Sequence, residues 1–213
     1  MISLIHPSRG RADKAFQTLT NWSDKCHGEG FDYTLSIDMD DPQSPRYSQL
    51  FHGVASYIQC SIGNVVVATN LAAAASEGDI LVYLSDDFDC PDGWDTLIEK
   101  EFEGVTEPML LKVDDCLQKF HVPVLTIPIM NRALYEKLGY FWNPLYKSMF
   151  VDEDLYWTCH KLNCIKYAPH LKFPHNHVSV GKAQDDETYR RSAANWNQGK
   201  EVFARRKAQG FPL

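Results

Sequence analysis

Several features that define other protein classes are missing from this sequence of 213 residues. None of its six cysteines forms a CxxC pair, which disfavours a zinc knuckle or a disulfide framework and favours reduced thiols. No apolar run approaches the length of a membrane span, and the run at the start is too short for a signal peptide. We therefore predict a cytoplasmic protein with no membrane contact and no obligate protein partner.

The sequence also lacks an excess of basic charge. Its 21 Lys and Arg are outnumbered by 28 Asp and Glu, and this net charge of −7 argues against coating of nucleic acid through bulk charge. Low-complexity tracts are absent, and 44% hydrophobic residues are typical of a soluble globular protein. The length suits one substantial core, so we predict a single domain over residues 1–213.

The first half of the chain alternates between strand and helix patterns. Apolar and β-favouring runs predict strands at 2–5, 31–37, 57–60 and 80–84. Helical spacing predicts helices from about Asp13 and over 64–79. This alternation is typical of an α/β fold of the Rossmann-like kind, with a mostly parallel central sheet and helices on both faces.

The second half is less regular. Its patterns predict strands at 108–115 and 122–130, and a helix that Asn131 caps and Gly139 ends. A further helix is predicted at 150–163, followed by an extended segment at 165–180 and a polar helix at about 185–208.

Acidic residues crowd the end of the predicted strand at 80–84. Ligands bind at the carboxyl ends of strands in such sheets, and polar loops also follow the first two strands, at 7–11 and 38–41. Asp87 and Asp89 form a DxD pattern, and Mg²⁺ or Mn²⁺ often takes one or two carboxylates beside substrate phosphates. The alternative is a solvated acidic turn, in which Asp92 caps a helix that begins near Trp94.

Three more clusters could carry chemistry. His175 and His177 point to one face of an extended segment, where either could complete a metal site; a surface pair is the alternative. Arg9 and Arg11 suit phosphates, although a solvated basic turn explains them equally well. Acidic residues at 152–154 begin a helix, which the helix dipole favours, and one of them could instead serve as a general base.

Together these motifs resemble the nucleotide-sugar glycosyltransferases of the GT-A fold. The resemblance rests on the PSRGR loop, Asp38, "NLAAAASEGDILVYLSDDFD", "LYEKLGYF", "FVDEDLYW" and a late histidine, and it covers nearly the whole chain. The sequence is most similar to inverting glycosyltransferase family two, particularly the short single-domain forms of phages and bacteria. The resemblance implies a sugar donor, most often a UDP-sugar, with Mn²⁺ or Mg²⁺.

The same resemblance implies roles for individual residues. It places the donor nucleotide against Pro7, Ser8, Arg9, Arg11, Asp38, Asn70 and Asp86, with Asp38 on the base. It makes Asp87 and Asp89 metal ligands, together with His177 or, as the second choice, His175. Asp152 matches the acceptor-side base, although Glu153 and Asp154 compete because many relatives carry Glu-Asp there. Residues 1–100 would bind the donor, 101–183 would bind the acceptor, and 184–213 would form a C-terminal helix.

Other functions share parts of this pattern. A nucleotidyltransferase would share the acidic strand end but should have a glycine-rich loop, whereas "HPSRGR" has one glycine. A non-catalytic calcium-binding module is a third reading, although the spacing does not match an EF-hand loop.

The acceptor is expected to be a saccharide or a hydroxymethylated DNA base. A DNA acceptor would use basic and aromatic residues near the C-terminus, namely Arg190, Arg191, Lys200, Arg205, Arg206, Lys207, Trp196 and Phe203. The alternative is an amphipathic helix whose aromatic residues pack on the core.

Overall fold

The computed structural model describes residues 1–54, 56–60 (backbone only), 63–178, 181–182 and 185–213. Its strands are Ile2–Ser8 (β1), Phe31–Asp38 (β2), Ser56–Cys60 (β3), Ile80–Tyr83 (β4), Leu110–Asp114 (β5), Pro128–Asn131 (β6) and Ile165–Lys172 (β7). Its helices are Ala12–Asp24 (α1), Ser44–Leu50 (α2), Val65–Ala75 (α3), Trp94–Phe102 (α4), Arg132–Leu138 (α5), Val151–Lys161 (α6), Glu187–Ala194 (α7) and Trp196–Ala208 (α8).

The strands form one sheet of order β3-β2-β1-β4-β6-β5-β7. Strands β1 to β4 are parallel, β5 and β7 are parallel, and β6 runs antiparallel to both of its neighbours. The predicted α/β fold with a mostly parallel sheet is therefore confirmed. This one sheet contains strands from both halves of the chain.

Two apolar layers cover the two faces of the sheet. Neighbouring residues of a strand point to opposite faces, so Leu4 and Ile5 of β1 belong to different layers. One layer contains Trp22 of α1 and Trp94 of α4, whose rings lie 4.8 Å apart. The other contains residues of α3, α5, α6 and α8, including Leu155. Helices on both faces are thus confirmed.

Several predicted boundaries differ from the structure, and the helix predicted over 64–79 ends at Ala75. β1 extends to Ser8, since Pro7 lies beyond the residues that pair with β4 and its missing N–H costs no bond there. The strand predicted at 122–130 begins only at Pro128, because the carbonyls of Val122 and Val124 accept hydrogen bonds from Lys112 Nζ.

The polar C-terminal helix is two helices, with the break at Asn195. Close packing fixes the position of α8: a Cβ atom on Gly199 would lie 2.3 Å from the carbonyl oxygen of Met149. In contrast, the predicted ends of α5 are confirmed, since Asn131 accepts from the Leu134 N–H and Gly139 has the left-handed φ of 76°.

The five cysteines whose side chains are described are all free thiols. Within the described ranges, no helix combines the length and apolarity that a membrane crossing requires.

Candidate active site

A cleft of about 640 Å³ lies at the carboxyl ends of β1, β2 and β4. This volume is within the range of small-molecule sites. The polar strand ends meet here as predicted: Pro7, Ser8, Arg9, Arg11, Asp38, Asp86 and Asp87 all line the cleft. Later parts of the chain contribute further lining residues, including Asp152, His175, His177 and Tyr189.

Asp86 is held by residues of β1. Its Oδ1 lies 2.7 Å from Ser8 Oγ and 3.0 Å from His6 Nε2, and its Oδ2 lies 3.8 Å from Arg11 Nη1. The other nitrogen of His6 is 2.7 Å from the Tyr33 hydroxyl. Sequence reasoning missed His6 and Tyr33, and the only signal was a histidine inside an otherwise buried strand pattern.

Asp87 is the carboxylate that faces His175. Ser85 Oγ and the Tyr189 hydroxyl donate to it at 2.8 and 2.7 Å, and His175 Nε2 lies 3.4 Å from its Oδ2. Burial alone would raise the pKa of Asp87, but the contacts with His175, Tyr189 and Ser85 outweigh it and hold the pKa well below the ordinary value. The Asp87 carboxylate is therefore held in place and stays ionised.

Backbone hydrogen bonds bring the histidine segment to the acidic loop. The Asn176 N–H donates to the Asp87 carbonyl at 2.8 Å, and the Asp89 N–H donates to the Pro174 carbonyl at 2.9 Å. These bonds position His175 next to Asp87 although the two residues are far apart in the sequence.

Asp87, His175 and His177 are chemically suited to a divalent cation. The His175 and His177 rings lie 5.0 Å apart, and the buried His175 Nδ1 has no hydrogen-bond partner among the residues that the structure describes. Burial lowers the pKa of His177, which favours the neutral imidazole that binds metals. No group of three such side chains stands in a ready-made ligand arrangement within the part of the chain that the structure describes. The residues thus fit an ion that takes its other ligands from a diphosphate and water.

Two predicted donor-side residues do not line the cleft. Asp89 is 2.6 Å from both Lys25 Nζ and Asn21 Nδ2, so α1 draws its carboxylate away from Asp87. Asn70 uses its amide on the backbone of Trp142, accepting from the N–H and donating to the carbonyl. Asn70 therefore supports a residue of the cleft wall but does not face the cleft itself.

Opposite charges gather around Asp38 at one end of the cleft. Arg9 Nη1 lies 2.7 Å from Asp38 and 2.5 Å from Asp40. Arg191 of α7 is also close, because a Cβ atom on Gly63 would lie 2.9 Å from Arg191 Nη2 and 3.2 Å from Asp38 Oδ2. This end offers both acceptors and donors for a polar ring.

The acidic start of α6 also contributes to the cleft. Of its three acidic residues, only Asp152 lines the cleft. Burial raises the pKa of Asp152, and backbone N–H groups and the charge of Lys112 oppose this effect only in part. Asp154 is buried in the interior, where its carboxylate forms an ion pair with Arg206 at 2.9 Å and accepts a hydrogen bond from the Tyr146 hydroxyl at 3.0 Å. Burial also raises the pKa of Glu153, but Glu153 does not line the cleft, so the raised pKa and access to the cleft coincide at Asp152.

The predicted basic and aromatic face near the C-terminus is divided by packing. Arg206 is paired with Asp154, and the Phe203 ring packs 5.9 Å from Phe150. Trp196 remains 51% exposed beside Phe150, at a ring distance of 4.8 Å. The basic residues that stay exposed on α8 are Lys200, Arg205 and Lys207.

Solved structures with the same architecture have 14% sequence identity to this chain. S. aureus TarS 1–349 in complex with UDP matches 81% of this chain with a TM-score of 0.63. The mannosyltransferase PcManGT from Pyrobaculum calidifontis, in complex with GDP-Man and Mn²⁺, matches 97% of it with a TM-score of 0.64. The fold is that of the GT-A glycosyltransferases. The match covers 59% of the TarS 1–349 chain and 75% of the PcManGT chain. No family model and no curated protein sequence matches the chain.

Proposed function

We propose that this protein is a metal-dependent glycosyltransferase that moves a sugar from a nucleoside diphosphate to an acceptor hydroxyl with inversion. One observation carries the proposal: a single cleft holds Asp87, whose pKa is lowered, and Asp152, whose pKa is raised. Carboxylates with opposite environments in one site are suited to different roles in the same reaction.

The donor would bind at the end of the cleft formed by β1 and β2. Arg9 and Arg11 offer guanidinium groups for the diphosphate, and Asp38 offers a carboxylate to the base. Pro7, Ser8 and Asp86 would complete the nucleotide pocket. The bound UDP and GDP-Man of the two similar structures support a donor of this class, with UDP-sugar as the first choice.

A divalent cation held by Asp87 and by His175 or His177 would neutralise the charge that grows on the departing diphosphate. Asp87 suits this role because its hydrogen bonds keep it ionised. Asp89 would contribute from outside the cleft by fixing the acidic loop to Lys25, the residue that follows α1.

Asp152 would take the proton from the acceptor hydroxyl. A carboxylate with a raised pKa is a stronger base, and its place at the start of α6 leaves it accessible from the cleft. Attack from the side opposite to the diphosphate would invert the anomeric centre.

We further propose a saccharide as the acceptor. Two of the basic and aromatic residues that a DNA strand would need are engaged inside the protein: Arg206 pairs with Asp154, and Phe203 packs on Phe150. Salt-sensitive DNA binding, together with transfer to a hydroxymethylated base but not to free saccharides, would contradict this choice.

The test is a screen of nucleotide sugars with Mn²⁺ or Mg²⁺, read as release of nucleoside diphosphate and followed by mass spectrometry of candidate acceptors. We expect chelation to abolish turnover and Asp87→Asn to reduce donor binding and turnover together. Undiminished turnover in excess chelator would contradict the metal role. A protein that binds Ca²⁺ but binds no nucleotide would contradict the enzyme assignment.

A further inference from the structure

The first turn of α7 is docked onto residues of the proposed donor site. The Thr188 hydroxyl donates to the Arg9 carbonyl at 2.9 Å, and the Asp186 carboxylate accepts from Arg11 Nε and Nη2 at 2.6 and 2.8 Å. Asp186 also caps α7 by accepting from the Tyr189 N–H at 3.1 Å. Residues almost 180 positions apart are therefore joined at the mouth of the cleft.

Tyr189 touches three groups of that site at once. Its hydroxyl donates to Asp87 Oδ2 at 2.7 Å, the Arg11 guanidinium lies 4.3 Å from its ring centre, and the His177 ring lies 4.9 Å away. Resting on the function proposed above, we propose that Tyr189 is a positioning residue of the donor site. It holds Asp87 for the cation and Arg11 for the diphosphate.

Two hydrogen bonds fix the Asp87 carboxylate. Ser85 donates to Oδ1 and Tyr189 donates to Oδ2, so the group cannot rotate freely. Hydrogen bonds of this kind to metal ligands typically change metal affinity by about 10- to 100-fold.

The ring of Tyr189 acts on a different group. A guanidinium that lies over an aromatic face is held flat, with its edge directed at an anion. Asp186 occupies the Nε and Nη2 edge of Arg11, which leaves Nη1 for the donor diphosphate. The hydroxyl and the ring of Tyr189 therefore serve the cation and the diphosphate separately, and the two effects can be measured apart.

The experiment compares Tyr189→Phe with Tyr189→Leu by titration calorimetry with UDP or GDP, once with Mn²⁺ and once in excess chelator. Loss of the hydroxyl alone should weaken Mn²⁺-dependent nucleotide binding by about 10- to 100-fold and leave binding in chelator unchanged. Tyr189→Leu should weaken both. Tyr135→Phe is the matched control, since Tyr135 also lies against an arginine, Arg132, at 5.3 Å but outside the cleft.

Mn²⁺-dependent binding at the wild-type level in Tyr189→Phe would overturn the inference while leaving the proposed function intact. Tighter binding in either Tyr189 variant would also overturn it, because the tyrosine would then obstruct the site. A wild-type protein that binds neither nucleotide nor Mn²⁺ would overturn both proposals. Thermal unfolding of each variant checks that lost binding is not lost folding.

Discussion

The chain has two acidic clusters, one after β4 and one at the start of α6. Tertiary packing separates the members of both clusters in the same way. In each cluster one member is drawn off into an ion pair: Asp89 to Lys25, and Asp154 to Arg206. In each, other members line the cleft: Asp87, beside Asp86, in the first and Asp152 in the second. The clusters differ in what surrounds the cleft-lining carboxylate. Hydrogen-bond donors hold Asp87, whereas burial dominates at Asp152.

This difference shows how one cleft supports two kinds of carboxylate chemistry. A carboxylate surrounded by donors stays an anion and suits a cation, while a desolvated carboxylate gains basicity and suits a proton. We propose that Asp89 and Asp154, which form the ion pairs, stabilise the structure and take no part in this chemistry. The following variants test this division.

The largest effect is expected at Asp152. Asp152→Asn should lower kcat by about two to four orders of magnitude, the usual range for a general base, and leave nucleotide affinity unchanged. Transfer rates at saturating acceptor and calorimetry with UDP measure the two quantities. Glu153→Gln is the control, since the helix dipole term there is below about 1 kcal/mol. If Glu153→Gln loses turnover while Asp152→Asn keeps it, the base has been assigned to the wrong residue.

The next effect concerns stability at Asp154. Asp154→Asn leaves the buried Arg206 guanidinium without its counter-charge, which should lower the free energy of unfolding by about 3–5 kcal/mol. Denaturant unfolding measures this change. Nucleotide binding below the unfolding transition should persist. A variant with wild-type stability but no turnover would move Asp154 from the structural group to the catalytic one.

A smaller effect is expected in the pH dependence. Since the pKa of Asp152 is raised, the acid limb of the kcat profile should lie above the ordinary aspartate value of 3.8, with activity lost as the pH falls through it. Lys112→Met removes a positive charge that favours ionised Asp152, so the acid limb should move to higher pH. The exposed Lys119→Met, on the loop that follows β5, is the control. A shift to lower pH in Lys112→Met would contradict this coupling.

The smallest effect is expected at Asp89. Its pair with Lys25 is partly exposed, so Asp89→Asn should change stability by about 0–1 kcal/mol and leave Mn²⁺-dependent nucleotide binding intact. The predicted DxD pair makes the opposite forecast. Loss of Mn²⁺-dependent binding in Asp89→Asn, equal to that in Asp87→Asn, would show that Asp89 reaches the cation when the donor is bound.

Sequence reasoning was most accurate where the signal is local. The alternation of strand and helix predicted the α/β fold, and Asn131 and Gly139 marked the ends of α5, because period and cap chemistry depend on neighbouring residues. The meeting of three polar strand ends also followed from a general property of parallel sheets.

Contacts between distant residues decided the rest. His6 supports Asp86, and Tyr189 holds Asp87. His175, the second choice of metal ligand in the prediction, lies 3.4 Å from Asp87. Residues beyond 1–100 therefore contact the side chains that are proposed to bind the donor.

The sequence by itself determined that acidic residues would follow β4 and begin α6, because strand ends and helix starts are local features. Only the tertiary structure decided which of them face the cleft and with what pKa. The packing of α1 against the acidic loop, and of α8 against α6, determines whether a carboxylate meets a lysine, an arginine or open space. Burial and hydrogen bonding then set its proton affinity, and both depend on residues that are distant in the chain.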